Sequence, residues 1–244
     1  MVVIPLVAVA NDMEHTLKKA GIYATQWDLQ STLRSTVVIV SAETATSKAF
    51  AKYITTLYLS GVLARAFFDE AHLIVTDVGY REKLAELKNL RVPIQLVLLT
   101  ATLPPSYQEE LEKDILLPDA PYIRAMANRV NIKYRQVMYS GDTYALWIKQ
   151  RIKELEGRMA RGNKMIVFVK SRKNAEHLAN DLGCGTYMSK QSGQEDVFRN
   201  WELGHAPTIV ATTALVAGIN VNNVVCVVHV DIPFSVIGFV QESG

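Results

Sequence analysis

Two neighbouring carboxylates, Asp69 and Glu70, follow the short apolar run Arg65–Phe68, and His72 comes two residues after Glu70. Ligands of open α/β sheets collect outside the carboxyl ends of the strands, so a carboxylate at such an end faces them. Asp69 offers a hard oxygen to a magnesium ion, held through water, that carries nucleotide phosphates. Glu70 can orient and deprotonate an attacking water. The bland counterpart is an exposed acidic strand end, and a tetrapeptide alone does not separate the two. A second apolar run, Gln95–Leu99, leads into Thr100-Ala101-Thr102. Two hydroxyls around a small residue are ordinary in a capping turn. After an acidic strand end they can also bridge its carboxylates to the rest of the protein.

Other residues admit similar pairs of readings. Lys170, Ser171 and Arg172 follow an apolar run and precede a helical pattern, so their cationic, hydroxyl and N–H groups could hold phosphate. Nine basic residues (Lys149, Arg151, Lys153, Arg158, Arg161, Lys164, Lys170, Arg172, Lys173) lie between Ala145 and Ala175 against Glu154 and Glu156, a window of +7 in a chain of net charge +2. That window is either a solvated helix face or a stripe facing nucleic-acid phosphates. His72 is a relay or a packed polar group. His229 ends an apolar run and reads as structural, while Phe198 and Trp201 at helical spacing read as core.

Positioning these groups needs a scaffold. The 244 residues, 49% hydrophobic and 20% charged, suit two compact lobes with ordinary cores. The only cysteines, Cys184 and Cys226, form no C-x-x-C pair, which argues against a disulfide framework or a zinc site. The opening apolar stretch Val2–Ala10 is too short to span a bilayer, so no membrane role is expected. Apolar runs at Val2–Ile4, Val37–Val40, Arg65–Phe68, Gln95–Leu99, Met165–Val169, Thr208–Ala211 and Val224–His229 predict strands buried on both faces. Helical patterns alternate with them at Asp12–Ala20, Ala45–Leu59, Glu82–Leu90, Tyr107–Ile115, Tyr144–Arg161, Lys173–Leu182 and Glu195–Leu203. Alternation of this kind predicts an α/β protein, with parallel sheets covered by helices on both faces. A break near Met126–Asn131 divides it into lobes 1–126 and 127–244, with a cleft expected between them.

D-E-A-H at Asp69–His72 followed by T-A-T at Thr100–Thr102 resembles motifs II and III of superfamily 2 helicases. Further segments fall in order: Val3–Ala8 resembles motif Ia, Val40–Glu43 motif Ib with Ala42 in place of proline, and Ile166–Ser171 motif IV. Ile209–Thr212 through Ala217–Asn220 resembles motif V, and His229–Pro233 with Gln241–Gly244 resembles the approach to motif VI. T-A-T in place of S-A-T, with G-I-N, V-V-H-x-D-I-P and Q-E-S-G, is most similar to RecQ-like DNA helicases, fungal members above all. The resemblance covers essentially the whole chain. It implies two RecA-like lobes, ATP and Mg²⁺ as cofactors, and 3′-to-5′ unwinding of DNA at single strands and duplex junctions. A nuclear or otherwise intracellular setting in DNA repair and recombination goes with it. Asp69, Glu70, His72 and Gln241 would serve catalysis, with Asp69 the magnesium ligand, and Thr100 and Thr102 coupling. Pro5, Ser41, Glu43, Lys170, Ser171, Arg172 and Thr212 would meet nucleic acid, and Asp69, Gly218 and Asn220 the nucleotide.

Departures accompany the likeness. The segment after motif II keeps Tyr80-Arg81 but has no tryptophan to stack a base, and Val216 replaces a glycine of motif V. The sequence contains no G-x-x-x-x-G-K-[ST] and stops before the R-A-G-R of motif VI. The first lobe is therefore expected to be incomplete at its N-terminus, and the sequence as it stands to hydrolyse ATP slowly. Three readings remain: part of a working RecQ-like helicase, a non-enzymatic DNA- or partner-binding module on the same scaffold, or another superfamily 2 motor such as an RNA helicase.

Overall fold

Both sheets are parallel throughout, as expected of short β-branched runs separated by amphipathic helices. The structure, a computed structural model, describes residues 1–5, 7–29, 35–77, 93–115, 119–125, 129–188, 193–215 and 221–244. The helix expected over Glu82–Leu90, together with Leu6, Tyr80, Arg81, Val216, Gly218 and Asn220, lies outside the described residues. The chain divides into two compact units, Met1–Asn128 and Arg129–Gly244.

The first unit holds β1 (Val2–Ile4), β2 (Ala24–Gln26), β3 (Val37–Ser41), β4 (Arg65–Phe68) and β5 (Gln95–Leu98), in the order β2-β3-β1-β4-β5. Alternate residues serve opposite faces. Val3 and Val40 enter a core with Phe50, Ile54 and Leu111, while Ile4 and Ile39 enter a second core with Ala10 and Ala24. The helix Lys48–Leu59 begins at Ser47, whose hydroxyl caps the Phe50 N–H at 3.2 Å. It buries Phe50 and Ile54, one turn apart. β5 departs from the expectation of strands buried on both faces. Gln95 is exposed and Leu96 keeps 39% of its surface. The physical reason is position: β5 ends the row of described strands and pairs among them with β4 alone.

The second unit holds β6 (Lys164–Phe168), β7 (Gly185–Tyr187), β8 (Thr208–Ala211) and β9 (Val224–His229), in the order β7-β8-β6-β9. Met165, Val167 and Val169 face one core and Ile166 and Phe168 the other. On β9 the register shifts between Lys164 and Met165, whose partners are Val224 and Cys226, leaving Val225 as an extra residue that is 55% exposed. A bulge of this kind resets the alternation, so Val224 and Val227 share one face while Cys226 and Val228 take the other. The helix Arg172–Leu182 starts at the Ser171 cap and stops at Gly183, whose φ of +73° is the left-handed ending glycine tolerates. The helix expected to reach Arg161 ends at Glu156, and the stretch Ile132–Tyr139 carries no strand.

Candidate functional site

Parallel strands bring all their carboxyl ends to one edge. In the first unit Ile4 is level with Ser41, Val3 with Phe68, and Phe68 with Leu98. Ser41 therefore ends β3, and Pro5, Asp69 and Thr100 follow the adjacent β1, β4 and β5 at that edge. Three backbone bonds fix the centre of it. Asp69 N–H donates to the Val3 carbonyl at 2.9 Å, Leu99 N–H to Phe68 at 2.8 Å, and Ala71 N–H to Leu99 at 2.9 Å. Between them Glu70 adopts φ = +50°, a left-handed conformation that is strained for a residue with a β-carbon. The turn lets the Glu70 N–H donate to Asp69 Oδ1 at 2.9 Å.

His72 is 1% exposed, and its Nδ1 lies 2.9 Å from Thr100 Oγ1 and 3.2 Å from Glu70 Oε2. The Glu70 contact has ion-pair distance without hydrogen-bond alignment, so Oε2 is buried without a hydrogen-bond partner while the Glu70 side chain keeps 40% of its surface. Thr100 Oγ1 also accepts the Thr102 N–H at 3.2 Å, closing the turn. These contacts bring Asp69, Glu70, His72, Thr100 and Thr102 into one cluster. Glu43 is exposed in the short helix Ala42–Ala45, which Ser41 caps through the Thr44 N–H at 3.2 Å.

Burial, and secondarily the charge of Glu70, push the Asp69 carboxyl above its ordinary value, while the Glu70 N–H and His72 pull the other way. Among the described residues no cluster of three or more His, Cys, Asp or Glu forms a metal centre. Magnesium in nucleotide sites keeps several waters and takes one or two carboxylates plus phosphates. A half-buried carboxylate whose charge is disfavoured until a cation arrives suits that mode, so Asp69 fits the role.

In the second unit the same edge carries Thr212, Lys170 and Asp231. The Lys170 N–H donates to Asp231 Oδ2 at 2.9 Å, and the Lys170 ammonium lies 4.5 Å from the centre of the Phe234 ring. Ser171 accepts the Asn174 N–H at 3.2 Å, leaving Arg172 exposed in the first turn. Thr212 is 9% exposed, and its N–H donates to Tyr187. Gln241 lies on the helix Val236–Ser243, which sequence patterning missed. Its neighbour Glu242 meets His229 Nδ1 at 3.1 Å, and the His229 ring stacks on Phe168. Lys164 drops out of the basic stripe. It is 5% exposed because its ammonium donates to the Asn222 carbonyl at 2.8 Å. Asp231 and Glu242 lie in the V-V-H-x-D-I-P and Q-E-S-G segments but, like Phe234, were given no role of their own from the sequence, since only the fold brings them to Lys170 and His229.

Comparison with known proteins adds independent information. Residues 147–244 match the helicase conserved C-terminal domain. The ATP-dependent helicase SGS1 of Saccharomyces cerevisiae is 27% identical over an alignment spanning 100% of this chain and 18% of that protein. The ATP-dependent DNA helicase Q1 of Mus musculus is 25% identical, again over 100% of this chain and 42% of its own length. A probable ATP-dependent RNA helicase, DDX4 of Pelophylax lessonae, is 28% identical over 72% of this chain and 25% of its own. This chain thus spans less than half the length of each of these curated relatives. Among solved structures, S. cerevisiae Dbp5 bound to RNA and ADP BeF3 superposes with a TM-score of 0.72 at 17% identity, over 99% of this chain and 66% of that one. That likeness shows the fold alone, two α/β units with parallel sheets flanked by helices, as in RecA-like lobes. Among the described residues no helix is long and apolar enough to cross a membrane.

Proposed function

We propose that this chain, which carries a helicase conserved C-terminal domain and has the superfamily 2 helicase fold, is the motor part of a RecQ-like DNA helicase. In that role it binds single-stranded DNA and couples ATP hydrolysis to 3′-to-5′ unwinding at duplex junctions, in a nuclear or otherwise intracellular setting. The observation that carries this reading is the His72–Thr100 contact, which joins the carboxylate-bearing strand end to the T-A-T turn.

Asp69 would hold a magnesium ion, which would supply neutralisation of the phosphate charge. Glu70 presents a partly exposed carboxylate to orient the attacking water. His72, Thr100 and Thr102 couple this end of the sheet to the rest of the motor, and the family resemblance assigns Gln241 a catalytic part as well. Pro5, Ser41, Glu43, Lys170, Ser171, Arg172 and Thr212 contact nucleic acid; Gly218 and Asn220 contact the nucleotide. The deciding experiment is DNA-stimulated ATP hydrolysis compared with that of Glu70→Gln. The reading expects hydrolysis that is slow, because the sequence lacks G-x-x-x-x-G-K-[ST], yet stimulated by DNA and abolished by the substitution; a wild-type rate indifferent to DNA would sink it.

RNA unwinding is the second reading, favoured by the likeness to the RNA helicase DDX4. Competition between single-stranded DNA and RNA of one sequence separates them. Salt-dependent strand binding with no nucleotide response would instead mark a non-enzymatic module.

A further inference from the structure

We propose that Arg124 is a positioning residue that transmits the state of the T-A-T turn to the segment leading out of the first unit. The inference rests on the motor reading above and concerns contacts within the first unit. Arg124 Nη1 donates to the Leu103 carbonyl at 3.0 Å and Nη2 to Gln108 Oε1 at 3.3 Å. Its guanidinium lies 5.3 Å from the centre of the Tyr122 ring. One arm of the fork thus grips the carbonyl immediately after Thr102. The other grips the first residue of the helix Gln108–Ile115.

The acceptor at Leu103 suits a relay. Pro104 and Pro105 follow it, and a residue before proline is held in extended backbone. The turn Thr100–Leu103 therefore enters the stiff Pro-Pro segment with little slack, and displacement of Thr100 displaces the Leu103 carbonyl. Leu103 also packs on the core beside Leu111, which anchors the segment. A continuous series of contacts results. Glu70 meets His72, His72 meets Thr100, Thr100 holds the Thr102 N–H, and the Leu103 carbonyl accepts from Arg124. Arg124 stands four residues before Asn128, where the first unit ends. Two donors in a fixed planar fork make this a task for arginine, since lysine's single ammonium does not hold both acceptors in one geometry.

The test is the affinity for a single-stranded DNA oligonucleotide, by fluorescence anisotropy, with and without magnesium and a non-hydrolysable ATP analogue. The wild type is expected to show a nucleotide-dependent change in DNA affinity. Arg124→Ala is expected to shrink that change by roughly 2- to 30-fold, the range seen for residues on coupling routes, with nucleotide-free DNA affinity unaltered. Arg124→Lys, which keeps the charge and loses the fork, should behave as Arg124→Ala does. A wild type without any nucleotide effect overturns the motor reading and this proposal together. A wild-type effect that Arg124→Ala retains, or that Arg124→Lys fully restores, overturns the proposal alone. Loss of nucleotide-free affinity in Arg124→Ala assigns the residue a merely structural part and also overturns it.

Discussion

His72 Nδ1 lies 2.9 Å from Thr100 Oγ1, so the strand end bearing both carboxylates is bonded side chain to side chain to the turn after the adjacent strand. The histidine is 1% exposed, and a buried polar group that loses a partner costs about 1–3 kcal/mol. Thr100→Val keeps the shape and removes the hydroxyl. It is expected to lower the unfolding free energy by that amount, read as a lower urea midpoint with an unchanged slope, whereas Thr100→Ser should retain most of the stability. Equal midpoints for Thr100→Val and wild type would show that the contact contributes nothing.

Asp69 gives a pH-dependent prediction. Its carboxyl is raised in the folded protein by burial, then by Glu70, so the folded state holds the proton more tightly than the unfolded chain does. A raised acid adds stability below its unfolded value of 3.8 and loses that contribution as pH rises through the folded value. At neutral pH the ionised Asp69 is therefore a liability. Asp69→Asn keeps an oxygen for the Glu70 N–H and removes the charge. The variant should be more stable than wild type at pH 7, with the advantage shrinking as pH falls toward 3.8. Paired denaturation curves across that range measure it, and an advantage that does not vary with pH counts against the burial account.

Legibility followed the range of the interactions. The strands Val2–Ile4, Arg65–Phe68, Thr208–Ala211 and Val224–His229 occur with the bounds their apolar runs predict, because a short run of apolar residues between helical patterns is a local signal, even where, as at Val224–His229, the strand is only partly buried. β2 and β7, Ala24-Thr25-Gln26 and Gly185-Thr186-Tyr187, carry no such run and end their rows of described strands, so nothing local marks them. At β7 the glycine has a packing reason, since a β-carbon on Gly185 would collide with Val197. The cluster of Asp69, Glu70 and Thr100 was legible because strand ends of a parallel sheet share an edge. The bonds from Arg124 to Leu103 and from Lys170 to Asp231 were not. They span 21 and 61 positions and join a side chain to a backbone group, which leaves no periodicity to read.

Glu70 combines a strained backbone with a functional side chain. Its φ of +50° costs roughly 1–2 kcal/mol for an L-residue, while glycine adopts it freely at the expense of about 0.5–1 kcal/mol in unfolded-chain entropy. Glu70→Gly is expected to match or exceed wild-type stability by up to about 1 kcal/mol while losing any ATP hydrolysis; Glu70→Gln should lose hydrolysis without that gain. Calorimetric melting of the two variants is the comparison. A Glu70→Gly protein clearly less stable than Glu70→Gln would refute the strain.

The cysteines should be inert in the folded protein. Burial, then the Glu156 charge, pushes the Cys184 thiol up to about 11, and burial raises Cys226 as well. Thiolate is the reactive form, and at pH 8 a thiol of that kind is ionised in about one molecule per thousand. Labelling with a chromogenic disulfide reagent at pH 8 is expected to be slow in buffer and fast in denaturant. Rapid reaction of one equivalent in buffer would contradict the packing assigned to these side chains.

Arg172 offers the sharpest test of nucleic-acid contact in the second unit. The neighbouring Lys170 is already engaged, with its N–H on Asp231 and its ammonium over Phe234. Arg172 is exposed in the first turn of a helix whose cap Ser171 provides, where N–H groups and the helix dipole favour phosphate. Each phosphate neutralised on a single strand contributes about 0.7 to the slope of log affinity against log salt. Arg172→Ala should therefore weaken single-strand binding and flatten that slope by about 0.7. Lys170→Ala should flatten it less, because its ammonium is held over the Phe234 ring. An Arg172→Ala slope equal to wild type would place phosphate elsewhere on the protein.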